Sequence, residues 1–132
     1  MNKLKGGVLV LTKKEISNIV SHLVEMYNTH CPFEICKKMN INILFLDLPD
    51  TVEGFFVNSE KSKGKSYISI LINKSIPKRN YNKICAHELG HVLLHNNVNS
   101  EVCKDNRDIC LEDLEKEAEI FSKTLLSKNK II

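Results

Sequence analysis

An α+β fold, with a small, mainly antiparallel three-stranded sheet packed against helices, is predicted from two features of this 132-residue sequence. Apolar residues recur at helical spacing near both ends, at Ile16, Ile19, Val20, Leu23, Val24 and Tyr27 and again at Leu114, Ala118, Phe121 and Leu125. Short β-branched runs fill the middle. The order is therefore α-α-β-β-β-α-α, with helices and strands segregated along the chain.

Each element has a local cause. Thr12-Lys13-Lys14-Glu15 reads as a capping box that opens the first helix, whose apolar stripe runs to about Asn28. Pro32 suits the first turn of a second, short helix with Phe33, Cys36 and Met39 inward and Asn40 as its stop. Ile41 to Leu46, bounded by Pro49-Asp50, reads as a strand, and Val52 to Val57 as a second. Asn58 to Lys65 is polar and basic, which predicts a hairpin connection. Tyr67 to Ile72 forms a third, well-covered strand, followed by a loop from Asn73 to Arg79. Two helices, about Asn80–Asn96 and Asp108–Lys128, close the chain across a polar loop.

Composition excludes several classes. With 42% hydrophobic and 27% charged residues, the chain is globular rather than disordered, and its length predicts a single domain over residues 1–132. The longest apolar runs, Val8–Leu11 and Ile43–Leu46, are far too short to span a membrane. The basic start, Met1 to Gly7, is followed by only four apolar residues, too few for a secretory signal, so a cytoplasmic protein is expected. Cys31, Cys36, Cys85, Cys103 and Cys110 form no C-x-x-C pair, which predicts free thiols, with Cys85 buried in a helix. A net charge of +3 is too small to imply direct nucleic-acid binding. It is unevenly spread: Glu60 to Lys83 holds seven basic residues and one acidic, Glu101 to Glu119 eight acidic and three basic.

His87-Glu88-Leu89-Gly90-His91 is an H-E-x-x-H motif inside a predicted helix. Positions i and i+4 project from one face, so both imidazoles can reach one metal ion. Glu88 sits about 100° round the helix, off the metal but near a water bound to it. The flanking Ile84, Cys85, Ala86, Leu89, Val92, Leu93 and Leu94 make the helix apolar nearly all round, where two histidines and a glutamate are costly without a strong partner. Zinc is the metal such a set predicts, and it needs a third protein ligand. His95 is a poor one, about 12 Å along the axis from His87, and reads as structural or substrate-side. A carboxylate of the last helix is the alternative. Glu115 and Glu119 lie on one flank of its inward stripe and Glu117 on the other, and helical geometry alone does not decide between them.

Ala86 to His95, followed by Glu115 to Leu126, resembles the ImmA/IrrE metallopeptidases. Asn40-Ile41-Asn42-Ile43, Gly54-Phe55-Phe56 and Ile70-Leu71-Ile72-Asn73 follow the family's layout, so the resemblance covers about Ile16 to Leu126. It implies a zincin-like minimal peptidase domain that cleaves a helix-turn-helix repressor of the phage or mobile-element type. The family's E-x-x-A pattern falls on Glu115 and Ala118, which implies Glu115 as third zinc ligand, Glu119 as a group orienting a ligand histidine, and Glu117 as solvated. Many members continue past the final Leu-Leu into a Met-Pro turn and further helices, whereas this sequence reads Ser127 to Ile132 there.

The expected chemistry is zinc-assisted peptide hydrolysis with His87, His91 and Glu115 as ligands and Glu88 as general base. Tyr81 and His95 are both candidates to stabilise the oxyanion. The strand Tyr67 to Ile72 is the candidate edge on which an extended substrate pairs. A different class of function is a non-catalytic zinc-containing module that binds the repressor, or a toxin–antitoxin component. A purely structural zinc, however, has no need of Glu88 and more often takes four Cys/His ligands.

Overall fold

The computed structural model describes residues 3–5, 8–61, 65–95 and 111–128. Two short strands, β1 (Lys3–Lys5) and β2 (Val8–Val10), pair antiparallel and precede helix α1 (Lys13–Tyr27). This hairpin was not expected, although Gly6-Gly7 between two short runs is a hairpin signal. The capping box forms as the sequence predicts: Glu15 N donates to Thr12 Oγ1 at 3.1 Å and Thr12 N to Glu15 Oε1 at 2.8 Å. Ile16, Val20 and Leu23, one helical stripe, are buried. Asn28 closes α1 and Asn40 follows α2 (Pro32–Lys38), both left-handed at φ 55° and 60°, a conformation asparagine tolerates better than most residues.

The sheet holds β3 (Asn42–Leu46), β4 (Gly54–Lys61) and β5 (Lys65–Asn73) in the order β3-β5-β4. The α+β class stands, but the sheet is mixed: β4 runs antiparallel to β5, while β3 runs parallel to it. The reason lies in Asn73, fully buried at the end of β5. Its Nδ2 donates to the carbonyls of Leu48, Pro49 and Val52 at 3.2, 3.3 and 3.0 Å. These bonds fold the connection after β3 across the end of β5, so that β4 enters on β5's far side.

The candidate substrate edge is thereby corrected. The strand Tyr67 to Ile72 lies within β5, paired on both sides, and the edge strands are β3 and β4. β5 is also covered on one face only. Ile70 and Ile72 are buried, whereas Tyr67 is exposed beside Leu44, Leu46, Phe55 and Val57 on the outer face.

A short 3₁₀ turn (Lys78–Asn80) leads into α3 (Tyr81–His95), which lies against the inner face of the sheet, and α4 (Leu111–Lys128) packs on α3. Ile16, Val20, Ile35, Cys36, Ile70, Ile72, Leu89, Phe121 and Leu125 belong to one core. Cys36 and Cys85 are buried free thiols with sulfurs 3.9 Å apart, and the hydrogen-bond contact with Cys36, followed by burial, pushes the Cys85 thiol up. The polar loop after His95, Cys103 and Cys110, the helix start at Asp108 and the tip of the β4–β5 connection lie outside the described residues. No described helix is long and apolar enough to cross a membrane.

Candidate metal centre

The site forms where α3 and α4 touch. Gly90, inside the H-E-x-x-H segment, faces the fully buried Phe121: a Cβ there would lie 3.0 Å from Phe121 Cδ1. That close approach seats α4 directly over the histidine face. Gly54 does the same for the sheet, since a Cβ there would meet the Leu71 carbonyl oxygen at 2.8 Å and Ile84 Cγ2 at 2.9 Å. The start of β4 is thus held tightly against α3 beside Glu88.

Three of the predicted residues meet in one cluster with Glu115. His87 Nε2 lies 3.0 Å from Glu115 Oε2, and His91 Nε2 lies 3.0 Å from Glu115 Oε1. His87, Glu88 and His91 each offer a ligand atom within 4.8 Å of the others. Only Glu115 touches both imidazoles among the described residues, which separates it from Glu88. Glu119 Oε2 stands 3.4 Å from His87 Nδ1, on the opposite side of that ring. Phe56 of β4 stacks on His91 with centroids 6.5 Å apart. A cleft of about 460 Å³ opens beside His87 and Glu88, walled by Thr51–Gly54, Asn80, Lys83, Ile84, Glu115 and Glu119.

Burial raises the Glu88 carboxyl to about 7, with Glu115 adding to the rise and His87 opposing it. Burial also lowers His91, against the pull of Glu115. Glu115 is raised by its own burial but held below the usual range on balance, by the hydrogen bond from His87 and the charges of both imidazoles.

Other predicted residues are placed differently. Glu117 is not solvated: it is 4% exposed, with Oε1 2.9 Å from His95 Nε2 and Oε2 accepting from the Leu11 N–H at 2.9 Å. The signal was present, because Glu117, three residues after Leu114 and four before Phe121, lies nearer the centre of the inward stripe than Glu115 or Glu119 does. His95 is buried between Glu117 and His91, which fits its structural reading and removes it from the substrate side. Tyr81 is turned elsewhere; its hydroxyl donates to the Lys74 carbonyl at 2.9 Å and its ring packs on Phe45. Neither reaches the cleft wall as an oxyanion donor.

The donor set fits a divalent cation. A neutral imidazole has one N–H, yet His87 faces a carboxylate oxygen at each nitrogen and His91 faces an acceptor at Nε2 and another imidazole at Nδ1. A cation among the two Nε2 atoms and Glu115 resolves that excess of acceptors. Tetrahedral ligands bound at about 2.0–2.2 Å stand roughly 3.4 Å apart, close to the spacing seen here.

Two imidazoles from one helix and a carboxylate from the next, beside a buried glutamic acid, make the donor layout of a metallopeptidase. The chain belongs to the IrrE N-terminal-like domain family, Peptidase M78, whose family model matches residues 36–131. It is 28% identical over 117 residues to "Uncharacterized immunity region protein 2" of Bacillus phage phi105, covering 89% of this chain and 71% of that protein. It is 26% identical over 125 residues to "Metallopeptidase ImmA" of Bacillus subtilis strain 168, covering 95% of this chain and 70% of that protein.

Proposed function

We propose that this protein is a cytoplasmic zinc endopeptidase that cleaves a helix-turn-helix repressor of the phage or mobile-element type. The observation that carries the peptidase reading is the shared contact of His87 and His91 with Glu115, both at 3.0 Å, beside a cleft that Glu88 borders. His87, His91 and Glu115 would hold the zinc. When bound, zinc supplies Lewis acidity that polarises a scissile carbonyl and acidifies water. The Glu88 carboxylate takes a proton from the attacking water and returns it to the leaving amine nitrogen.

An extended substrate is held along β4, which is an edge strand of the order β3-β5-β4 and whose first residue, Gly54, lines the cleft. The repressor reading is supported by the motif resemblance and by a relative whose name places it in an immunity region.

The test mixes the purified protein with the repressor encoded nearest to its gene, with and without a chelator. Cleavage that stops on chelation and returns with zinc supports the reading. Glu88→Gln should keep the zinc and lose about 10²–10⁴-fold in cleavage rate. Near wild-type cleavage by this variant, or cleavage indifferent to chelation, would overturn it.

A further inference from the structure

A buried line of hydrogen bonds runs from the N-terminal segment to His91, and the mechanism above does not use it. The Leu11 N–H donates to Glu117 Oε2 at 2.9 Å, Glu117 Oε1 lies 2.9 Å from His95 Nε2, and His95 Nδ1 lies 2.9 Å from His91 Nδ1. The His95 and Glu117 side chains are 5% and 6% exposed, so water offers them few substitute partners.

With Glu117 as the carboxylate and His95 as the neutral imidazole, the direction of every bond follows from its first member. A backbone N–H can only donate, so Glu117 Oε2 accepts. The carboxylate then accepts at Oε1 too, which puts the proton of His95 on Nε2. A neutral His95 has only a lone pair left at Nδ1, so His91 must donate from its own Nδ1. The remaining lone pair of His91 is on Nε2, the atom that faces Glu115.

We propose that Glu117 and His95 are positioning residues: anchored by the Leu11 amide, they set the tautomer and ring orientation of His91 so that Nε2 presents its lone pair to the metal. This rests on the zinc assignment above. Metal-binding histidines usually give their second N–H directly to a carboxylate, carbonyl or water. Here the acceptor is another histidine, which can accept only while Glu117 takes its other proton. Zinc affinity therefore depends on a carboxylate that never touches the metal, and on the backbone of a residue outside the 36–131 region that matches the family.

Glu117→Gln tests this, because the amide can reverse the line without breaking it. Its oxygen accepts from the Leu11 N–H and its NH₂ donates to His95 Nε2. The His95 proton then moves to Nδ1 and the His91 proton to Nε2, where zinc should bind. Shape and hydrogen-bond count are kept, so a merely structural role for Glu117 predicts no change. The expected result is zinc affinity weaker by about 10–100-fold in competition with a chromophoric chelator. Long-range ¹H–¹⁵N NMR should show His95 protonated on Nε2 and His91 on Nδ1 in the zinc-loaded wild type, and His95 protonated on Nδ1 in the metal-free variant. A folded variant with wild-type zinc affinity overturns the inference, as does zinc-loaded wild type with His95 protonated on Nδ1. If the variant does not fold, the wild-type tautomers decide. A wild-type chain that binds no zinc overturns the site assignment and this inference together, whereas the other failures leave the site assignment standing.

Discussion

His87 and His91 stand one turn apart on α3 and meet the same carboxylate at the same distance, yet they are backed by different surroundings. Behind His87 is Glu119, 3.4 Å away and 38% exposed, which also pairs with Lys123 at 3.6 Å. Behind His91 is the buried line through His95 and Glu117 to the Leu11 amide, with Phe56 stacked on the ring. An exposed ion pair contributes about 0–1 kcal/mol, whereas removing one partner of a buried hydrogen bond and leaving the other unsatisfied costs about 1–3 kcal/mol. One ligand position is therefore rigidly built and the other is adjustable, and the adjustable one borders the cleft where substrate must enter.

The strongest way to break this comparison is to remove what the two sides share. Glu115→Ala takes away the group that touches both imidazoles, and zinc affinity should fall by more than the ~100-fold that marks the loss of an outer supporting residue. Metal content after dialysis against a mild chelator checks it, and a variant that stays loaded would move the ligand role to another residue of α4.

Gly90→Ala acts on both sides at once by pressing Phe121 and α4 away. Overpacking costs typically 1–3 kcal/mol, against a gain of up to about 1 kcal/mol in helix propensity. A net loss of roughly 0–3 kcal/mol is expected, measured by denaturant unfolding of the metal-free protein, together with weaker zinc binding. A clear gain in stability would show that the close approach of α3 and α4 is not under strain.

Glu119→Ala should have the smallest effect: a few-fold in zinc affinity and under about 1 kcal/mol in stability. A loss equal to that of Glu117→Gln would erase the difference between the two flanks.

Much of this was legible before the chain was seen folded. The Thr12–Glu15 cap, the stripes of α1 and α4 and the H-E-x-x-H spacing depend on neighbours within one turn, and such signals survive in sequence. The three strands were legible as apolar runs, with β4 starting two residues later and reaching four residues further than expected. Their partners were not, because pairing joins residues far apart in the chain. Nothing local to Tyr67–Ile72 distinguishes an edge from a central strand. What centres it is the side chain of Asn73 holding the Leu48–Val52 carbonyls.

By itself, the sequence determined that two imidazoles and a carboxyl group share one helix at metal-binding spacing, since an α-helix repeats every 3.6 residues whatever surrounds it. Only the tertiary structure decided what each acidic residue of α4 faces. Glu115 and Glu119 lie about 40° apart on one helix and Glu117 about 160° from either, so the rotation of α4 about its axis decides which of them reaches the histidines. The contact of Phe121 with Gly90 sets that rotation. It turns Glu115 to both histidines, Glu119 to the open back of His87, and Glu117 inward to His95 and Leu11.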